Sequence, residues 1–353
     1  MAKNANLRAA NLNKNDEFYT GYDDIKKELI HYTKHFKGKS IYCNCDDHNG
    51  IGLGTPKSNF IKYLADNFQA FGIKKVIATH YEKNKKSKKY ILDKKNTGAN
   101  IICMEDVMEI PLEGDGDFRS DECIELLKES DIVITNPPFS LFREYVAQLM
   151  KYKKKFIIIG NTNAITYKEI FKLVKENKMF TGYTNFNVGM YFFVPDDWKK
   201  YHKIENGKKL VRNSNSCWFT NLDHKKRHQV LDTGKIYKGY EKMYPKYDNY
   251  DAINVDKYLD IPMDYKKAMG VPITFIDKYN PDQFEIIGQG QGNLYRELTP
   301  KGLKKEFVDN YYKTGGTGSI KEDHPVLGYY DENGKAVIPY MRIVIKKKIR
   351  RNK

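Results

Sequence analysis

Asp131-Ile132-Val133-Ile134-Thr135-Asn136-Pro137-Pro138-Phe139 is the stretch on which the reading of this chain turns. Residues suited to a buried strand run straight into an Asn-Pro-Pro-aromatic turn, and residues 141–150 then carry the apolar spacing of a helix. Two successive prolines fix φ and remove two N–H donors. The turn is therefore stiff and rich in hydrogen-bond acceptors.

Strand and helix signals alternate on both sides of it. Residues 40–44, 75–81, 100–104, 131–135 and 155–160 read as strands. Residues 23–36, 58–71, 121–129, 141–150 and 166–176 read as helices. In the second of these, Ser58 suits the N-cap, and Phe60, Ile61, Leu64, Phe68 and Phe71 fall on one face. Residues 190–194 and 216–221 read as two strands with no helix between them. This order predicts an α/β fold with an open, mainly parallel sheet and helices on both faces. The strands are near-continuous apolar runs, as burial on both sides requires. Ligands of such sheets bind beyond the carboxyl ends of the strands, and the Asn-Pro-Pro turn lies at one of those ends.

From about residue 223 the alternation stops. Tyrosine, glycine, proline and lysine intersperse, as in Tyr237-Lys238-Gly239-Tyr240, and a boundary near residue 222 is expected. Residues 1–222 form the first domain on this reading and residues 223–353 an α+β second region. Its tail is an apolar strand running into Lys346, Lys347, Lys348, Arg350, Arg351 and Lys353.

The chain has 353 residues and a formal net charge of +16, enough length for two domains. Such a surplus makes a polyanion the first partner to consider, although a generally lysine-rich proteome has the same effect. The five cysteines show no framework spacing and read as free thiols of a reducing compartment. Cys43 and Cys45 with His48 fall short of a zinc set, so no metal is expected. Residues 1–12 lack the apolar core of a secretory signal, and no run approaches the roughly 18 apolar residues of a membrane span. A soluble, cytoplasmic protein is expected.

The turn suits one chemical problem. The exocyclic amine of adenine is a poor nucleophile because its lone pair is delocalised into the ring. Two acceptors, the side-chain oxygen of Asn136 and the carbonyl of Pro137, can take its two protons and aim the lone pair at a methyl donor. Pro138 stiffens the corner, and Phe139 stacks on the base. Transfer then rests on positioning and on electrostatic stabilisation of the cationic amine. An amine inside a duplex is reached only by extruding the base.

The sequence resembles the EcoRI-type adenine-specific DNA methyltransferases, enzymes that use S-adenosylmethionine. The resemblance is carried by Asn15-Asp16-Glu17-Phe18-Tyr19-Thr20, by Ile41-Tyr42-Cys43-Asn44-Cys45-Asp46-Asp47 with Ser58-Asn59-Phe60, by Gly114-Asp115-Gly116-Asp117-Phe118-Arg119-Ser120, and by residues 135–145. Gly270-Val271-Pro272-Ile273-Thr274-Phe275 and residues 341–345 are similar more loosely. The resemblance implies a Rossmann-like methyltransferase sheet over residues 1–222 and a target-recognition region over residues 223–353 that binds double-stranded DNA.

It also implies roles for individual residues. Phe18, Tyr19 and Thr20 lie against the methionine part of the donor. Asn44, Cys45, Asp46 and Asp47 replace the usual glycine-rich loop, with Asp46 or Asp47 facing the methionyl ammonium. Gly50, Gly52 and Gly54 follow in an apparent insertion. Glu82 suits the ribose hydroxyls. Asp106 and Asp117 compete for the donor's adenine, with Asp117 the better match and Phe118 packing on the ring. It implies a modification enzyme of one of two kinds, one paired with a cognate restriction endonuclease or an orphan without one. The alternatives are a methyltransferase of RNA or of a protein glutamine, which use similar turns, and a catalytically silent DNA-binding protein.

Overall fold

The computed structural model describes residues 19–46, 58–97, 103–194, 196, 198–205, 207–298 and 301–348. Phe18, Asp47, His48, the three glycines of the insertion and the last basic residues of the tail lie outside these. Contacts divide the chain into two compact units, Met1–Ile170 with Met179–His224 and Phe171–Lys178 with Lys225–Lys353.

The elements leading into the main sheet are β1 (Tyr19–Thr20), α1 (Tyr22–Leu29), β2 (Ser40–Cys43), α2 (Asn59–Asp66), β3 (Lys75–Thr79), β4 (Lys88–Asp93), β5 (Met108–Pro111), α3 (Asp121–Glu129), β6 (Ile132–Thr135), α4 (Phe142–Lys151) and β7 (Lys155–Asn161). After them come α5 (Lys168–Lys175), β8 (Phe180–Thr181), β9 (Met190–Phe193), β10 (Lys203–Glu205), β11 (Lys208–Asn213) and β12 (Ser216–Thr220). Eight strands form one sheet in the order β5-β4-β3-β2-β6-β7-β12-β8. A second sheet, β1-β9-β11-β10, is wholly antiparallel.

The main sheet is mixed, and the expected parallel arrangement holds at its centre. Only its centre, β3-β2-β6-β7, is parallel; β4 and β5 on one side and β12 and β8 on the other pair antiparallel. Strand β4 hid in a lysine-rich run that reads as a loop. The strand expected at residues 100–104 is not seen in its described part: Met104 opens a 3-10 turn, Met104–Asp106, and the edge strand comes later, at β5.

The period of two along each strand divides its apolar residues between two faces. Ile41, Cys43, Val76, Ile132, Ile134, Ile159 and Trp218 face a core closed by Ile25 and Leu29 of α1 and Phe60 and Leu64 of α2. On the other face Phe142 of α4 meets Phe219 at 5.3 Å, and Tyr145 meets Phe118 edge-on at 5.1 Å. Each large side chain so buried stabilises the fold by about 1.5–3 kcal/mol.

The second unit contains β13 (Ile253–Asn254), β14 (Met269–Pro272), β15 (Phe284–Gln289), α6 (Lys305–Lys313), β16 (Tyr329–Tyr330), β17 (Ala336–Val337) and β18 (Arg342–Lys347). Its sheet runs β13-β14-β18-β15, and β16 pairs with β17 alone. Tyr247, Tyr295, Leu327, Tyr329 and Val344 form part of its core.

Candidate active site

The four parallel strands end on the same side, and their carboxyl ends carry residues 44–46, 80–82, 136–139 and 161. Strand β6 is buried along its length. Asp131 sets its register on β2: its N–H donates to the Ser40 carbonyl (2.8 Å), and its carboxylate accepts from the Ser40 N–H (2.9 Å). The chain leaves β6 at Thr135 and turns through Asn136, Pro137 and Pro138. The Pro138 carbonyl accepts from the Leu141 N–H at 3.1 Å, opening a 3-10 turn, Phe139–Leu141, that leads into α4. The Pro137 carbonyl accepts no backbone N–H among the described residues. The Asn136 side-chain oxygen is sheltered from solvent, and Phe139 is half-buried against the core under α1 and α2.

Asp46 ties this corner to the rest of the site. Only 7% exposed, it accepts from Thr135 Oγ1 at 2.8 Å and from Ser58 Oγ at 2.9 Å. Its N–H donates to the Thr79 carbonyl at 2.8 Å. Ser58 also caps α2, accepting from the Phe60 N–H at 3.2 Å. The next residue, Asn59, donates to the Thr20 carbonyl at 2.7 Å. A short polar chain thus joins β1, α2, the end of β2 and the residue before Asn136, four segments separate in sequence.

Asn44 is buried, and its Oδ1 accepts from the Tyr145 hydroxyl of α4. Burial pushes the Tyr145 hydroxyl and the Cys45 thiol well above their usual pKa values, so both stay protonated. Asn44 Nδ2 and Thr20 Oγ1 are buried with no hydrogen-bond partner among the described residues; Thr20 is 4% exposed. Buried polar groups in native proteins are nearly always paired, so these two atoms point to a bound group or to water.

A second cluster forms where the loop after β3 meets residues 112–118. The Glu82 N–H donates to the Asp115 carbonyl (2.8 Å), and the Ser87 N–H donates to the Gly114 carbonyl (2.9 Å). Gly116 has φ +78°, and a Cβ there would lie 2.0 Å from the His80 carbonyl oxygen. Only glycine lets the two loops approach this closely. Glu82 is half-exposed, with its Oε1 2.9 Å from a His80 ring nitrogen.

The two competing aspartates sit in different settings. Asp117 is gripped by Arg119 through Nε (2.9 Å) and Nη2 (2.6 Å), which holds its carboxyl below the usual range. Phe118 is buried against Tyr145, with the Arg119 guanidinium 5.3 Å from its ring centre. Asp106 instead accepts from the Cys103 N–H at 2.9 Å and caps its own turn.

Sequence reasoning singled out the turn and both loops but missed their ties. Tyr145, Arg119 and the link from Thr135 to Asp46 were not foreseen. Only Thr135, on the otherwise apolar β6, gave a signal in the sequence. Ser216 Oγ and Trp218 Nε1, on β12, are also buried without a hydrogen-bond partner among the described residues. Among the described residues no group of His, Cys, Asp and Glu is arranged to hold a metal, and no helix is long and apolar enough to cross a membrane.

Residues 6–348 match the family described as adenine-specific methyltransferase EcoRI. The chain belongs to that family. It is 48% identical over 319 residues to the Type II methyltransferase M.EcoRI of Escherichia coli, covering 86% of this chain and 95% of that protein. It is 40% identical over 341 residues to the Type II methyltransferase M.MpnI of Mycoplasma pneumoniae, covering 95% and 96%. With M.MgeORF184P of Mycoplasma genitalium, another Type II methyltransferase, the identity is 40% over 280 residues, 78% of this chain and 83% of that one. No solved structure matches. As a member of the EcoRI methylase family the chain is an adenine-specific DNA methyltransferase, which leaves the RNA, protein-glutamine and silent-binder alternatives without support.

Proposed function

We propose that this chain moves a methyl group from S-adenosylmethionine to N6 of an adenine extruded from duplex DNA, with Asn136 and Pro137 gripping the amine. The observation that carries this reading is the turn itself: a sheltered Asn136 oxygen and a Pro137 carbonyl to which no backbone N–H among the described residues donates, on a rigid corner at the carboxyl end of the sheet. The two oxygens accept the two N6 protons and turn the lone pair out of the ring plane. Phe139 stacks on the base and helps to offset the few kcal/mol lost in unstacking it.

The residues present fit the methyl donor. Thr20 Oγ1 and Asn44 Nδ2 are buried polar atoms with no hydrogen-bond partner among the described residues, and we assign them to the donor's methionyl end beside Tyr19 and Cys45. Asp46 is bound by two hydroxyls, so its part is to hold the corner together. Glu82 is assigned to the ribose hydroxyls. Asp117 is assigned to the adenine of the donor, with Phe118 backing it from within the core. When bound, S-adenosylmethionine supplies an electrophilic methyl group on a sulfonium.

The second unit is assigned to recognition of the target sequence. The protein is assigned to the cytoplasm, as the modification half of a restriction–modification pair or as an orphan modification enzyme. A direct test incubates purified protein with labelled S-adenosylmethionine and duplexes of varied sequence. Label should enter adenine of one duplex class. A folded, donor-binding protein that labels no duplex would overturn the reading.

A further inference from the structure

Strand β12 carries two buried polar atoms that the fold leaves unused. Ser216 Oγ and Trp218 Nε1 have no hydrogen-bond partner among the described residues, and both residues are 0% exposed. A buried indole N–H usually finds an acceptor, and most buried hydroxyls are paired. Two residues apart on one strand, the side chains share a face, separated by roughly 7 Å of strand. That face is the core under α1 and α2, where Trp218 meets the Phe60 ring edge-on at 6.0 Å and against which Phe139 packs. The indole is held from below. The Gly182 N–H donates to the Trp218 carbonyl at 2.7 Å, and a Cβ on Gly182 would lie 2.4 Å from Trp218 Cβ.

Register puts this pair beside the turn. Strand β12 runs antiparallel to β7, so its first residue, Ser216, stands at the carboxyl end of the parallel strands, opposite Asn161, and Trp218 stands opposite Ile159. Along the other edge of β7, Ile158 is opposite Thr135, the residue before Asn136. Trp218 is thus level with the start of the turn, two strands or about 10 Å away. The order β3-β2-β6-β7-β12 sets Asn44, Cys45 and Glu82, assigned to the donor at the ends of β2 and β3, on one side of Asn136. Ser216 and Trp218 stand on the other. In-line displacement brings the acceptor to the methyl group from the face opposite the sulfonium, so the side away from the donor is the side of the base.

We propose that Trp218 and Ser216 complete the acceptor pocket, the indole N–H and the hydroxyl donating to ring nitrogens of the extruded adenine. Adenine in DNA offers three such acceptors, N1, N3 and N7, and no ring donor. The indole nitrogen can only donate, and the hydroxyl can donate as well. Asn136 and Pro137 therefore test for the amine, and Trp218 and Ser216 test the ring that bears it. A site built this way rejects a base lacking the acceptor, because its buried donor is then left unpaired. The inference deepens the proposed function and rests on its placement of the adenine amine at Asn136 and Pro137.

The test measures kcat/KM on the methylated duplex with its target adenine replaced in turn by 1-deaza-, 3-deaza- and 7-deazaadenine, in which one ring nitrogen becomes C–H. The wild type should lose about tenfold or more on at least one analogue, the cost of stranding a buried donor. Trp218→Phe should lose about as much on adenine itself and nothing further on that analogue. Ser216→Ala, which removes a single oxygen, should lose several-fold on adenine and blunt the analogue profile in the same way. Melting temperatures establish that the variants fold, and calorimetric binding of S-adenosylmethionine should be unchanged in both. Should Trp218→Phe not fold, the wild-type profile and Ser216→Ala decide the matter. A wild type indifferent to all three analogues would overturn this inference alone. So would an analogue penalty that persists undiminished in the folded variants, or variants that lose donor binding instead. A wild type that methylates no duplex would overturn the proposed function and this inference with it.

Discussion

Thr135 Oγ1 donates to Asp46 Oδ2 at 2.8 Å, although 89 residues separate them. The bond ties the end of β6, one residue before Asn136, to the end of β2, where the methyl donor is assigned. Both halves of the candidate site depend on it. Thr135→Val keeps the shape and removes the donor. Losing a hydrogen bond to a charged group costs about 1.5–3 kcal/mol, and kcat should fall about tenfold or more as Asn136 loosens. Thr135→Ser should restore both. Wild-type kcat in the valine variant would show that the bond has no part in positioning the turn.

Asn136→Ala removes one of the two acceptors assigned to the amine. Preorganised polar groups of this kind are worth about a hundredfold to a thousandfold in kcat, so methylation should drop by at least that much. Duplex affinity, followed by fluorescence anisotropy, should change little. Undiminished turnover would refute the role given to this side chain.

Gly116→Ala tests the seam between the Glu82 and Asp117 loops. The new Cβ would meet the His80 carbonyl on a backbone with positive φ, a strain of roughly 1–3 kcal/mol. The KM for S-adenosylmethionine should rise with less effect on the KM for DNA. Calorimetric titration with the donor checks this directly, and unchanged donor affinity would separate the seam from the donor site.

Arg119 depresses the pKa of Asp117. A carboxyl lowered by folding stabilises the native state above its unfolded value of about 4, and that contribution disappears as pH falls through the folded value. Asp117→Asn should therefore lower the melting temperature at pH 6 and make little difference near pH 2. Melting curves across that range give the answer; a difference that grows towards acid would contradict the pairing.

Glu28 is 0% exposed, and burial raises its pKa. It accepts from Tyr32 Oη (2.7 Å), the Tyr183 N–H (2.7 Å), the Thr184 N–H (2.7 Å) and Thr184 Oγ1 (2.6 Å). These bonds hold the turn that follows β8. Glu28→Ala strands buried donors and should cost roughly 3 kcal/mol or more in urea unfolding. A loss below about 1 kcal/mol would mean that water replaces the carboxylate.

The sequence alone determined the central elements and the reactive turn, because both are written in neighbouring residues. Apolar runs of four to seven residues mark strands buried on both faces, and Asn136-Pro137-Pro138 fixes its own backbone. Even the strand at the end of the chain was legible, since Ile343, Val344 and Ile345 are unbroken. What lay beyond that reading was set by partners distant in the chain. The antiparallel edge β4–β5 exists because a lysine-rich segment found a neighbour to pair with, and no local pattern shows that. Asp46 reads as a residue free to meet a ligand, yet the folded chain brings Thr135 and Ser58 within hydrogen-bond reach of it. Tertiary structure decided these roles for a physical reason: a polar side chain is defined by the partner it finds once water is excluded, and that partner is chosen by the fold.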